Sequence, residues 1–277
     1  MSKPLFTVLL PINRAPALLP YAVESVLAQE EPDFELFIIC DGAPPETANL
    51  ANQYAARDGR IRVFGFDRGR NQGEAHREAV LVHARSRFVA QIGDDDLWFP
   101  GYLRELAKLL QDVDFGNLVQ TEINRNDTVR AFPGNLGSPA TRRRMVETRW
   151  NFFGPTFGGY RLAAYHQLKT GWSAAPAGLW TDLFMWRKFL ARDDFTFGTH
   201  HVVEGVKLSA TERQQMTMEE REVELRGLAE RFKDPVEVSL FRQLAFRSLA
   251  EQLQANLVSN LGAIDKTLAG IAAHISR

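Results

Sequence analysis

Residues 87–100 read RFVAQIGDDDLWFP. An apolar run, Phe88-Val89-Ala90, passes through Gln91-Ile92-Gly93 into three consecutive acids, Asp94, Asp95 and Asp96. Leu97-Trp98-Phe99 follow at once. A solvated acidic face would not sit between two apolar stretches. Carboxylates about 4 Å apart repel by roughly 4 kcal/mol at an effective dielectric near 20, so the cluster calls for a compensating charge. Clustered hard oxygens suit a divalent cation. The competing reading is a strand-end turn in which an Asp caps a helix starting near Pro100. One acid suffices for that, and three are present.

Working outward from this stretch, apolar strand-forming runs precede it at regular intervals. Residues 5–10 (LFTVLL), 34–40 (FELFIIC), 61–66 (IRVFGF) and 88–92 (FVAQI) read as four strands. Helical spacing over residues 17–29, 46–57 and 71–84 separates them. Strands alternating with helices at about 30-residue spacing mark βαβ units in a parallel sheet. Ligands in such sheets bind beyond the carboxyl ends of the strands. The unusual polar residues fall there: Asn13 and Arg14, Asp41, Asp67 and Arg68, then the three acids.

The chain has 277 residues, 45% hydrophobic and 24% charged, enough for one large domain with an appendage. Lys plus Arg total 33 and Asp plus Glu 34, a net charge of −1 that argues against a general nucleic-acid binder. A single cysteine, Cys40, excludes an intrachain disulfide and a cysteine-cluster zinc site. The apolar run near the start is ended by Pro11, too short for a signal h-region or a membrane span. A cytoplasmic protein is expected, with peripheral membrane contact left open.

Downstream, residues 100–111 form an amphipathic helical pattern and residues 115–123 a further strand. Residues 124–144 read as loop, with a basic cluster, Arg142-Arg143-Arg144, that is either a solvated helix face or a phosphate contact. Residues 150–186 are dense in aromatics and glycine. Within them Asp182 stands at an apolar helix start, as a helix cap or as a general base. Residues 196–208 read as one or two short strands around His200-His201, and one of those imidazoles could complete a carboxylate metal site. From residue 211 glycine becomes sparse, and three helical stretches (211–232, 235–256 and 260–276) carry no evident chemistry. They read as an appendage that packs on the body, pairs with a second copy or meets a partner.

With these residues in hand, the first 210 positions resemble a family 2 glycosyltransferase of the GT-A fold. The resemblance rests on Pro11-Ile12-Asn13-Arg14, on Ser25-Val26-Leu27-Ala28-Gln29, on Asp41-Gly42, on Asn71-Gln72-Gly73 with Arg77, and on Gly93-Asp94-Asp95-Asp96-Leu97-Trp98-Phe99-Pro100. The family often has two acids and Gly-Ser after the second strand, where this chain has Cys40-Asp41-Gly42-Ala43. It usually has Glu-Asp in the acceptor half, where this chain has Thr181-Asp182. The C-terminal helices lie outside the resemblance.

The resemblance implies a Rossmann-like, mostly parallel α/β sheet flanked by helices, over residues 1–210. Residues 1–112 would bind the nucleotide-sugar and 113–210 the acceptor, with 211–277 as a helical extension. It implies an inverting, metal-dependent transferase in polysaccharide or glycoconjugate synthesis. The donor would be a nucleotide-diphospho-sugar, UDP-linked. The acceptor would be a saccharide, lipid-linked or other hydroxyl. Asp182 would be the catalytic base. Pro11, Asn13, Arg14, Asp41, Arg68, Asn71, Gly73, Arg77 and Asp94 would line the donor site. Asp95, Asp96 and His200 would hold Mn²⁺ or Mg²⁺. Arg77 has a rival role as an ion pair with Glu74 on its own helix. A sugar nucleotidyltransferase would need a Gly-rich loop after the first strand, which Pro11-Ile12-Asn13-Arg14 lacks. A dinucleotide-dependent dehydrogenase fails for want of Gly-x-Gly-x-x-Gly there. A non-catalytic nucleotide-sugar-binding scaffold acting through the helical tail is the remaining alternative. Self-association, if present, would run through residues 211–277.

Overall fold

The computed structural model describes residues 3–275, and the side chains of that span apart from 263 and 265–275. The N-terminal half alternates as expected: β1 (Phe6–Ile12), α1 (Leu19–Leu27), β2 (Phe34–Asp41), α2 (Pro45–Arg57), β3 (Ile61–Phe66), α3 (Glu74–Leu81) and β4 (Phe88–Gln91). β1 is buried along nearly its whole length because helices cover both faces of the sheet, which is why it reads as a continuous apolar run. α1 buries Leu19, Ala22, Val23 and Val26, the i, i+3, i+4, i+7 stripe of a helix lying on a sheet.

β5 (Leu97–Trp98) and α4 (Tyr102–Leu110) follow the acidic stretch. Then come β6 (Phe115–Leu118), β7 (Thr121–Ile123), β8 (Val129–Ala131) and α5 (Pro139–Glu147). The expected strand over 115–123 is thus two, β6 in the main sheet and β7 in a separate hairpin with β8. The region expected as loop, 124–144, contains β8 and most of α5. Two arginines of its basic cluster make contacts within the fold, while Arg143 is exposed. Arg142 donates to the Leu136 carbonyl at 2.6 Å, and Arg144 lies 4.1 Å from the Trp150 ring centre.

The chain continues through a short 3₁₀ turn (Pro155–Phe157), β9 (Gly158–Arg161), α6 (Leu162–Tyr165), α7 (Thr181–Leu190), β10 (Phe197–His200) and β11 (Gly205–Val206). The main sheet has seven strands in the order β10-β6-β9-β4-β1-β2-β3. It is parallel except for β9, which runs antiparallel between β4 and β6. Chain order runs outward from β1 through β2 to β3 on one side and jumps to β4 on the other. The gap between the tips of β1 and β4 is therefore a switch point, where open α/β sheets bind ligands.

The C-terminal region is α8 (Met218–Arg231) and α9 (Pro235–Ile275). Residues 211–217 are not helical, and α9 runs without a break where two helices were expected; residue 276 lies outside the described span. α8 and α9 share a second hydrophobic core with the small strands. In it Phe99, next to the acidic stretch, meets Phe232 at 5.0 Å and Phe241 at 5.5 Å, both edge-on. The extension is therefore built onto the segment that follows Asp96.

Candidate active site

A cleft of about 350 Å³ opens at the switch point. Its walls include Asn13, Arg14, Asp41, Arg77, the three acids and Lys207. A larger cleft of about 580 Å³ between α1 and α8 is lined mainly by apolar and aromatic groups such as Pro20, Tyr21, Trp98 and Phe232, and lacks the strand-tip acids.

The three acids have three different environments. Asp94 is 7% exposed and takes two bonds from Arg14, Nε to Oδ2 and Nη2 to Oδ1, both 2.6 Å. Burial raises its carboxyl above the usual range, and the Arg14 hydrogen bonds oppose that shift. Asp95 meets Arg221 of α8, whose Nη2 lies 2.5 Å from Oδ2, and Arg14 Nη2 at 3.1 Å. Asp96 is 2% exposed; its Oδ2 accepts from the Thr156 hydroxyl and its Oδ1 from the Leu208 amide at 3.2 Å. Burial, and then the charge of Asp95, push its carboxyl up to about 7. β5 is held close by, with the Trp98 indole N–H donating to the Thr156 carbonyl at 3.0 Å.

The tip of β2 carries Asp41, almost fully buried. Its Oδ1 accepts from the Gly69 amide at 2.6 Å, and Arg68 Nη1 lies 3.2 Å from Oδ2. With its amide oxygen turned toward Arg68, Asn13 accepts from the same guanidinium at 2.5 and 3.1 Å. Gly73, the residue before α3, has φ +65°, and a Cβ there would collide with Asp41 Oδ2. Arg77 is 6% exposed, donates to the Gln72 carbonyl at 2.6 Å and packs 5.2 Å from the Trp172 ring. The rival ion pair does not form: Glu74 instead accepts from the Thr181 hydroxyl at 2.7 Å and the Gln72 amide at 3.2 Å. Burial lowers the Arg77 guanidinium to about 10, and its buried Nε has no partner among the described residues. A buried cation with a free donor at the cleft wall suits an anion or a hydroxyl-rich ligand.

A second cavity of about 600 Å³ is lined by Asn71, Trp180 and Asp182. Lys207 and Gln72 line both cavities and join them. Asp182 lies in the first turn of α7, whose N-cap position is Trp180, so it is not the helix cap. Its Oδ2 accepts from Asn151 at 3.0 Å and its Oδ1 from the Leu183 amide at 2.7 Å. Burial raises its carboxyl above the ordinary range, while these bonds and Lys207 oppose the shift.

One expected residue falls elsewhere. His200 ends β10 at the sheet edge, with its ring 3.2 Å from Glu105 on α4, and does not line the cleft. Two strands, β6 and β9, separate β10 from β4, so the His200 tip cannot meet the Asp95 tip as a third ligand. Among the described residues no group of three His, Cys, Asp or Glu side chains converges as a metal cage. Two cations went unread in the sequence. The only sequence signal for Lys207 is a lone charge between Val206 and Leu208, close to the more conspicuous His200-His201 pair. Arg221, one of many charges in α8, left no signal.

Comparison with known proteins agrees with this geometry. The sequence pattern of the family described as Glycosyl transferase family 2 matches residues 7–168. The putative teichuronic acid biosynthesis glycosyltransferase TuaG of Bacillus subtilis is 33% identical over 111 residues, 40% of this chain and 43% of that protein. A PGL/p-HBAD biosynthesis glycosyltransferase of Mycobacterium tuberculosis is 24% identical over 128 residues, 46% of this chain and 50% of that one. The chain thus spans at most about half the length of these curated relatives. S. aureus TarS in complex with UDP-GlcNAc superposes with a TM-score of 0.59 at 16% identity, over 90% of this chain and 72% of TarS. A Pyrobaculum calidifontis mannosyltransferase in complex with GDP-Man and Mn²⁺ gives 0.52 at 14% identity, over 95% and 81%. At such identities these structures speak to fold alone, and the shared fold is the GT-A arrangement. Because the family pattern covers more than half of the sequence, the chain belongs to glycosyl transferase family 2.

Proposed function

We propose that the protein is an inverting glycosyltransferase that moves a sugar from a nucleotide-diphospho-sugar to an acceptor hydroxyl in polysaccharide or glycoconjugate synthesis. The observation that carries the reading is the pairing of two acidic sites: Asp94, Asp95 and Asp96 on one cavity, Asp182 on the adjoining one, with Lys207 in the wall of both. TarS in complex with UDP-GlcNAc, and TuaG, described as a putative teichuronic acid biosynthesis glycosyltransferase, favour a UDP-linked donor and a polysaccharide product.

Asp41 and the loop around Arg68, Asn71 and Gly73 form the wall that would receive the base and ribose. The Asp41 carboxylate can accept a base N–H, which favours uracil. Arg77, with its free Nε, would meet phosphate or sugar hydroxyls. Asp182 would take the acceptor proton onto a carboxylate oxygen while the acceptor oxygen bonds to the anomeric carbon. The bond from that carbon to the diphosphate breaks with its electron pair leaving on the phosphate oxygen, and a single displacement inverts the centre. General-base assistance of this kind contributes about 10²–10⁴-fold.

Asp95 and Asp96 would hold Mn²⁺ or Mg²⁺. The donor set fits: such ions are bound by one or two carboxylates completed by substrate phosphates and water, which needs no third protein ligand. The Asp96 carboxyl, raised by burial and then by the charge of Asp95, is the kind of group whose ionised form a cation favours. Bound there, a divalent ion supplies charge stabilisation for the departing diphosphate.

Calorimetry with UDP and Mn²⁺, followed by UDP release from UDP-sugars in the presence of acceptors, tests the reading. Binding with turnover is expected. Binding without turnover on any donor would favour a nucleotide-sugar-binding scaffold, and no binding would refute the site. No helix among the described residues is long and apolar enough to cross a membrane. A cytoplasmic enzyme, peripheral to the membrane when its acceptor is lipid-linked, fits this reading.

A further inference from the structure

Among the described residues, Arg221 is the side chain that the C-terminal helices, outside the family resemblance, bring to the three acids. It lies in the first turn of α8, just after a capping box in which Thr217 accepts from the Glu220 amide at 3.2 Å and Glu220 accepts from the Thr217 amide at 2.7 Å. The start of the helix is clamped. Tyr21 donates to Glu222 at 3.1 Å, and Arg213, fully buried, holds Glu224 with two 2.6 Å bonds while donating to the Ile123 carbonyl at 3.0 Å. Leu225 and Leu228 anchor the next turn in the second core. Arg221 is therefore delivered to Asp95 by a fixed scaffold, at 2.5 Å and with a side chain only 12% exposed.

Two further facts point to a ligand. Asp95 Oδ2 already receives Arg14 at 3.1 Å, so one carboxylate oxygen faces two guanidinium groups. The buried Nε of Arg221 has no partner among the described residues, so half of its planar fork is unused. A guanidinium presents that fork to two oxygens of one phosphate more fully than to a single carboxylate oxygen. A divalent ion entering the site would compete with Arg221 for Asp95 Oδ2, an oxygen that two guanidinium groups already crowd.

Resting on the donor reading above, we propose that Arg221 is a diphosphate-binding residue supplied by α8. It stands on Asp95 where a cation would sit in the ligand-free protein, and exchanges that carboxylate for the donor diphosphate when ion and nucleotide enter. The C-terminal extension then completes the donor site.

The proposal sets two affinities in opposite directions. With Arg221→Gln, Mn²⁺ added alone loses its competitor and should bind roughly tenfold tighter, while UDP at saturating Mn²⁺ loses a charge-assisted fork and should bind roughly tenfold weaker. Arg221→Lys keeps the charge and loses the fork, so Mn²⁺ alone should bind as in the wild type while UDP weakens. Glu222→Gln, a change on the same turn facing Tyr21, should move neither affinity and controls for damage to α8. Calorimetry reads both affinities, with GDP as a second nucleotide. Unchanged values in Arg221→Gln, or a loss of both, would overturn the assignment while leaving the donor site intact if the wild type binds UDP. If the wild type binds neither nucleotide, the functional reading itself fails and this one with it.

Discussion

Arg14 and Asp94 tie together the tips of two neighbouring parallel strands, β1 and β4, through two 2.6 Å bonds. The pair spans the switch point, so it sets the width of the cleft as well as neutralising one of three adjacent acids. Removing only the cation leaves a buried carboxylate without its partner, at a cost of about 3 kcal/mol. Arg14→Ala should therefore lower stability by about that much in urea unfolding, and the double variant Arg14→Ala/Asp94→Asn should recover part of the loss. A double variant no more stable than Arg14→Ala would mean that Arg14 acts through packing alone.

In the proposed reaction, Asp182 is the residue that takes the acceptor proton. Asp182→Asn preserves its shape and its bond to Asn151 after an amide flip, but cannot take a proton. Turnover should fall about 10²–10⁴-fold with UDP affinity unchanged. In the wild type, the raised carboxyl should place the acid limb of the rate profile above the ordinary Asp range, with rate rising as pH rises through it. A near-normal kcat in the variant would require a different base.

The first four strands and their polar tips were legible because burial on both faces leaves an unbroken apolar run, and the residues after each run are local in sequence. Asp41, Arg77 and the acidic stretch were singled out that way, and the fold brings them to the walls of one cleft. The partners of those residues were not legible. Arg221 lies 126 residues from Asp95, and the second core that α8 shares with Leu97 and Phe99, together with the Tyr21 and Arg213 contacts, brings it back. His200 failed for the converse reason: its chemistry suited a metal, but the sheet order carries β10 to the far edge. The α9 region, expected as two helices, has no glycine or proline between 253 and 261 to break it, and the structure runs straight through.

Gly73 is a position where backbone and site coincide. Its φ of +65° disfavours any side chain, and a Cβ would collide with Asp41 Oδ2. The left-handed conformation alone costs about 1–2 kcal/mol for another residue, and Asp41 must also move. Gly73→Ala should weaken UDP binding in calorimetry by more than it lowers the melting temperature would suggest, because the carboxylate it displaces is the one proposed to read the base. Equal UDP affinity in a destabilised variant would separate Asp41 from the base.

Asp96 gives a signed pH dependence. Its carboxyl sits at about 7 in the fold and near 3.9 in the unfolded chain, so the folded state binds a proton that the unfolded state has released over that interval. The stability it contributes is fully present below about pH 4 and is lost as pH rises through about 7, with a slope of at most about 1.4 kcal/mol per pH unit. Urea unfolding without metal should therefore show lower stability at about pH 8 than at about pH 5 from this group, and Asp96→Asn should flatten the difference. Mn²⁺ favours the ionised form, so it should stabilise more at about pH 8 than at about pH 5. Equal stabilisation at both would remove Asp96 from the ion's surroundings.

Two truncations separate the roles of the C-terminal helices. An appendage over residues 211–277 would be expected to affect oligomeric state or solubility more than donor affinity when removed. The structure adds a direct route to the donor site, since the cut strips Phe232 and Phe241 from Phe99 and also takes Arg221 from Asp95. Exposing that aromatic core should leave the protein insoluble or unable to bind UDP. Removing only residues 255–277 spares both cores, including the Gln252 contact to the Ala131 carbonyl. It deletes Leu257, Leu261 and Ile264, each more than half exposed and spaced by four and three residues along α9, the interval of a coiled-coil seam. The full chain should show a concentration-dependent mass in light scattering that the shorter one lacks, while the UDP affinities of the two agree. A full chain that stays monomeric at high concentration would assign the stripe to some surface other than a second copy.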